Sequence, residues 1–141
     1  MKESTLWKHL RPVFEKVGKF QKISDRFTPG VPDVLGKASC GAYAIELKEL
    51  SGVRVLKAKF RPGQLDWLRD WEGAQGTSWI LSTLGQRVYV HPWQFGEELE
   101  KGCDPSVVEK RALLTWTKNR SNTWNDFAKQ LFSEAKPRSR S

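Results

Sequence analysis

Residues 30–50 read GVPDVLGKASCGAYAIELKEL. Two apolar stretches, 31–36 and 42–48, flank ASCG, and both alternate as strands do. The link is short, so the pair is expected to form an antiparallel hairpin. Yet Asp33, Glu46 and Lys48 sit inside these otherwise core-like segments. A carboxylate buried without a partner is costly. Either the strands are misread or the charges share a task.

Side chains alternate along a strand, so Ala44, Glu46 and Lys48 share one face and Tyr43, Ile45 and Leu47 the other. A tight turn at Ser39–Cys40 pairs Lys37 with Ala42 and Asp33 with Glu46. Residues opposed in this way have Cβ atoms about 4.5–5.5 Å apart, and like charges there repel. A divalent cation removes the conflict. Oxygen ligands without Cys or His suit Mg2+ or Mn2+, and the main-chain carbonyl of Leu47 adds a candidate ligand. Lys48 lies where it could hold a water whose proton the metal makes labile, or counter the charge of a phosphorane-like transition state. The chemistry indicated is metal-assisted phosphodiester hydrolysis. The plainer reading is an edge hairpin carrying surface salt bridges, because an acid-x-Lys triplet alone is common.

VPD at 31–33, IELK at 45–48 and the later RPGQLDWL at 61–68 together resemble the PD-(D/E)xK nuclease superfamily. The last stretch is similar to the Arg-x-x-Gln helix of its VRR-NUC and Holliday-junction-resolvase-like branch, whose small stand-alone members are often phage-encoded. The resemblance covers about residues 3–90. It implies a restriction-endonuclease-like core, a mixed central sheet flanked by helices, and metal-dependent cleavage of DNA or RNA. By that resemblance Asp33 and Glu46 are metal ligands, Leu47 lends its carbonyl, Lys48 is the catalytic lysine, and Gln64 positions Lys48 or substrate. The family often adds an acid from the first helix. Glu3 and Glu15 are the candidates, and Glu3 is favoured because it lies four residues before Trp7, a core candidate.

The composition is compatible with this reading. The chain has 141 residues, enough for one domain with a real core, and 38% of them are hydrophobic, including seven Trp and seven Phe. The net charge of +8 suits a polyanionic partner. Residues 51–61 hold four cations and no acid, which suggests a mobile basic loop or frayed extension. Arg54, Lys57, Lys59 and Arg61 are therefore candidate phosphate contacts, with Ser24 and Arg26 as weaker ones. Lys136, Arg138 and Arg140 form a basic tail. Cys40 and Cys103, with His9 and His91, make no zinc spacing. No stretch reads as a secretion signal or a membrane span, so a cytoplasmic protein with reduced thiols is expected, in the host cytoplasm if phage-encoded.

Elsewhere, Ser4 is expected to cap a first helix that Pro12 kinks or breaks and Gly18 ends. Residues 20–24 form a weak strand, and Pro62 lies in the first turn of a helix reaching Gly73. Two further strands flank Leu84–Gly85. The remainder reads as helical: a short helix in PWQFGEELEKG, one capped by Asp104 running through 105–119, and one capped by Asn122. The fold class is α/β, layered as α+β. Residues 1–95 form the nuclease core, 96–135 a helical extension packed on the same domain, and 136–141 the tail. Trp7, Trp67, Trp71 and Trp79 are core candidates; Trp116 and Trp124 could stack on bases but better suit the core or a homodimer contact. The function expected is a metal-dependent endonuclease acting on DNA, selective for branched DNA or four-way junctions. The alternatives are a non-catalytic nucleic-acid-binding protein on a nuclease-like scaffold, and a structural protein whose charges are incidental.

Overall fold

Strand β3 (Gly41–Glu49) is the spine of the molecule. It pairs antiparallel with β2 (Val34–Ala38) on one side and parallel with β4 (Thr77–Leu84) on the other. A parallel pair needs a crossover, which α2 (Gln64–Gly73) supplies. Strands β1 (Gly18–Lys22), β5 (Arg87–Pro92) and β6 (Leu114–Thr117) complete a mixed six-stranded sheet in chain order. The structure is a computed structural model and describes residues 1–23, 28–39 and 41–134.

The hairpin register is the expected one, with Lys37 opposite Ala42 and Val34 opposite Ile45. The first strand, however, begins at Val34 rather than at 31. Pro32 has no N–H to give to a ladder, so residues 31–33 lead into the strand instead of extending it.

One face of the sheet carries an aromatic-rich core. Tyr43, Ile45 and Leu47 of β3 pack with Trp79 and Trp116 beneath α1 (Glu3–Phe14) and α5 (Trp124–Glu134). The opposite face packs Ala44, Ile80 and Tyr89 against Leu68 of α2, Leu99 of α3 (Gly96–Lys101) and Val108 of α4 (Pro105–Lys110). A 3-10 turn, Trp93–Phe95, leads into α3. No helix among the described residues is long and apolar enough to cross a membrane.

Several local expectations are corrected. Lys2, not Ser4, occupies the cap position of α1, and it makes no side-chain capping bond. Pro12 does not break the helix, which runs on to Phe14 before the chain turns into β1. The carbonyl that Pro12 leaves without an N–H belongs to Lys8, an exposed residue, so water can serve it. The helix read over 105–119 stops at Lys110, and Leu114–Thr117 becomes β6 with Trp116 opposite Val88. A short run of aromatic and β-branched residues beside an open sheet edge gains a ladder that a helix would forgo. Asp104 does cap α4, accepting from Ser106 N–H at 2.8 Å. Thr123 rather than Asn122 caps α5: its N–H donates to Asp126 Oδ2 at 2.8 Å and its Oγ1 accepts from Asp126 N–H at 3.3 Å. Asn122 instead ties the preceding turn to the Thr117 carbonyl.

Residues 51–61 are also not a frayed loop. Leu56 and Ala58 are buried, Leu56 N–H donates to the Cys103 carbonyl at 2.8 Å, and Ala58 N–H donates to the Leu99 carbonyl at 3.0 Å. Leu56, Ala58 and Phe60 turn inward while Lys57, Lys59 and Arg61 turn outward. An alternation with period 2 is hard to tell from a basic loop when every outward position is a cation.

Candidate active site

The apolar packing on the α2 side of the sheet gives way, towards the end of β3, to a polar group of side chains. Glu46 and Lys48 follow Ala44 on this face and are only 1% and 7% exposed. Gln64, the first residue of α2, faces them and is 1% exposed. Its Nε2 donates to Glu46 Oε1 at 3.0 Å, and its Oε1 accepts from Lys48 Nζ at 2.9 Å and from the Arg61 main-chain N–H at 2.8 Å. Two obligate donors at Oε1, the Lys48 ammonium and the Arg61 N–H, allow only one orientation of the amide. Lys48 Nζ also lies 3.8 Å from Glu46 Oε1 and 4.7 Å from the centre of the Phe60 ring. Its position is thus set from three sides.

Asp33 stands just before β2. Its Oδ2 accepts the Leu47 N–H at 2.8 Å. The β2 ladder has ended at Val34, so the side chain takes a β3 donor that the ladder no longer serves. The remaining oxygen of the pair is the informative one: Glu46 Oε2 is buried and has no donor. The Asp33 carboxyl lies beside that of Glu46, and a hydrogen bond between the two requires one of them to keep its proton. Burial, that hydrogen bond and the Asp33 charge together push the Glu46 carboxyl up to about 10, against the opposing pull of Lys48 and Arg61.

A cleft of about 530 Å³ opens over this group. Glu3, Asp33, Glu46, Lys48, Glu49 and Gln64 line it, together with Lys57, Lys59 and Arg61. Glu3 is at the exposed start of α1, and partial burial, with Asp33 and Glu49 nearby, raises its carboxyl above the usual range. Glu15 is exposed and pairs with Arg11 at 3.1 Å. Arg54 is exposed and outside the cleft lining. Ser24, Arg26 and the basic tail lie outside the described residues. Among the described residues no group of three or more His, Cys, Asp or Glu clusters as a metal-ligand set. The oxygens brought together are those of the two carboxyls.

Two participants were not legible in the sequence. Phe60 lies beside Lys48 only because the 56–61 segment is folded back against α3. Glu49 belongs by alternation to the opposite face from Lys48, but it is the last residue of β3 and reaches the cleft mouth. No local pattern marks either.

No family model and no curated protein matches the chain. The fold does have a counterpart. The chain is similar to Hjc, a Holliday junction resolvase of Archaeoglobus fulgidus, an archaeal hyperthermophile. The TM-score is 0.56 at 17% identity, over 89% of this chain and 96% of Hjc. The likeness to Hjc therefore extends over a whole domain and not merely a shared motif. It is a likeness of fold, and the chemistry has to be argued from the side chains above.

Proposed function

We propose that this chain is a divalent-metal-dependent endonuclease of the PD-(D/E)xK type, hydrolysing phosphodiester bonds in DNA and selective for branched DNA such as four-way junctions. The observation that carries the reading is Glu46 Oε2, buried without a donor beside a second carboxyl. Two acceptors facing each other are satisfied by a proton or by a cation, and the oxygen-only set fits Mg2+ or Mn2+. Asp33, Glu46 and the Leu47 carbonyl would hold the ion, with Glu3 completing the set directly or through water. The bound metal would supply Lewis acidity, activating water and offsetting phosphate charge.

The protein's own groups do the rest. Lys48, held by Gln64 and Phe60, places its ammonium towards the cleft, where it counters charge developing on the phosphoryl oxygens. Gln64 prevents Lys48 from closing fully onto Glu46 by occupying Glu46 Oε1 itself. Lys57, Lys59 and Arg61 contact backbone phosphates, which supplies affinity without sequence readout. Arg54 extends that track, and a homodimer would present two such clefts to one junction. Support for branched DNA comes from the fold shared with a resolvase.

The test is cleavage of single-stranded, duplex, flap and four-way-junction DNA with Mg2+ or Mn2+. Nicking near the branch is expected, and chelation should abolish it. Asp33→Asn and Glu46→Gln should bind DNA but not cut. Cleavage by either variant would overturn the site. Metal-independent binding without cleavage by the parent protein would favour the non-catalytic nucleic-acid-binding alternative.

A further inference from the structure

Residues 51–57 form a small hairpin that phosphodiester hydrolysis itself does not require. Ser51 N–H donates to the Lys57 carbonyl and Lys57 N–H to the Ser51 carbonyl, both at 2.9 Å. One residue on, Leu56 and Cys103 exchange a second such pair at 2.8 and 2.9 Å. Gly52 turns the chain at φ +110°, and a Cβ there would fall 1.9 Å from the Val55 carbonyl oxygen. The base is therefore tied down, and the turn admits only glycine without rearrangement.

The tip is the opposite in character. Val53 is 87% exposed and Val55 51%, the two most exposed large apolar side chains among the described residues. Val55 folds against Gly102, where an added Cβ would lie 2.6 Å from its Cγ1. Val53 has no such backing and projects. Ser51 and Lys57, at the base, line the cleft. The segment 51–61 carries Arg54, Lys57, Lys59 and Arg61 and no acid. An apolar point beside a run of cations suits a polyanion with an apolar interior, which describes stacked nucleic-acid bases.

We propose that Val53, carried on the anchored base of this hairpin, is a wedge that enters the base stack next to the bound phosphodiester, while Arg54 contacts a flanking phosphate. The proposal rests on the nuclease reading and names the substrate class within it: DNA whose bases beside the cut are cheaply unstacked, as at a branch point. Val53 would then be a specificity-determining residue, not a catalytic one.

The experiment uses the full chain without divalent metal and a four-way junction carrying 2-aminopurine at the branch, with a linear duplex carrying the same base as reference. Binding should raise the fluorescence of the junction, reporting unstacking. Val53→Ser should abolish the rise and lower the preference for junction over duplex by about tenfold, leaving the salt dependence of binding unchanged. Arg54→Ala should keep the rise and reduce the salt slope by about one. A full rise in Val53→Ser, or no rise with a parent protein that binds the junction and cleaves it once Mg2+ is added, overturns the wedge while the nuclease reading stands. Failure of the parent protein to bind any DNA removes both.

Discussion

The two faces of β3 are equally dry and differently made. On one, Tyr43, Ile45 and Leu47 are at most 1% exposed among aromatic and aliphatic neighbours. On the other, Glu46 and Lys48 are nearly as buried, yet they meet a glutamine, a second carboxyl and an orphan oxygen. Burial stabilises the first face through apolar area removed from water. It stabilises little on the second, where desolvation of the charges consumes much of what their attraction returns. A strand that keeps such a face is compensated elsewhere in the fold, and the aromatic core beneath α1 and α5 is where that compensation lies.

The contrast can be broken from either side. The largest effect should follow on the apolar face. Phe14 is fully buried and its ring packs on Phe20 and Phe132 at 5.1 and 5.2 Å. Phe14→Ala should cost about 3–5 kcal/mol in urea unfolding, and a loss below 1 kcal/mol would show that this face is not the stabilising one. On the polar face, Lys48→Ala should lower cleavage about 100- to 1,000-fold, as removal of one charge-stabilising donor does. Its melting temperature should change little. A large drop in stability with cleavage intact would reverse the assignment of the two faces.

A third buried polar group sharpens the comparison. His91 is completely buried on the α2 side of the sheet. Its Nε2 donates to the Val108 carbonyl at 2.7 Å, its Nδ1 has no partner, and Phe95 stacks on it at 4.5 Å. Burial, with the Arg111 charge adding and the Val108 carbonyl opposing, lowers its pKa from 6.5 to about 4. The folded state therefore binds the proton less readily than the unfolded chain. Stability from this group is whole above 6.5 and is lost as pH falls through about 4, by up to roughly 3 kcal/mol. Unfolding measured at pH 7 and pH 4 should show that loss, and His91→Gln should remove this part of it. An acid response identical in both proteins would place the titration elsewhere. The smallest effect is expected at the cleft rim. Lys57→Ala with Lys59→Ala should reduce the salt slope of DNA binding by about two while the protein stays folded. An unchanged slope would clear the rim of phosphate contact.

Much of the site was legible because it rests on local rules. Period 2 alternation places Glu46 and Lys48 together, and the tight hairpin sets the register that carries Asp33, just before β2, to the side of β3 where it meets Leu47 N–H. The basic run 51–61 was visible, but its anchoring was not, since Leu56 is buried only through its bonds to Cys103, far along the chain. Leu114–Thr117 reads as helix from sequence because its strand partner, β5, is likewise a tertiary neighbour.

By itself the amino-acid sequence determined the hairpin, its register and the residue types that meet on one face of β3, because each depends on neighbours within one turn or strand pair. Only the tertiary structure decided that Gln64 bridges Glu46 and Lys48, that Phe60 braces the lysine, and that one oxygen of Glu46 is left without a donor. Those contacts join segments whose approach is set by packing on both sides of the sheet, and packing is a sum over the whole chain that no local pattern carries.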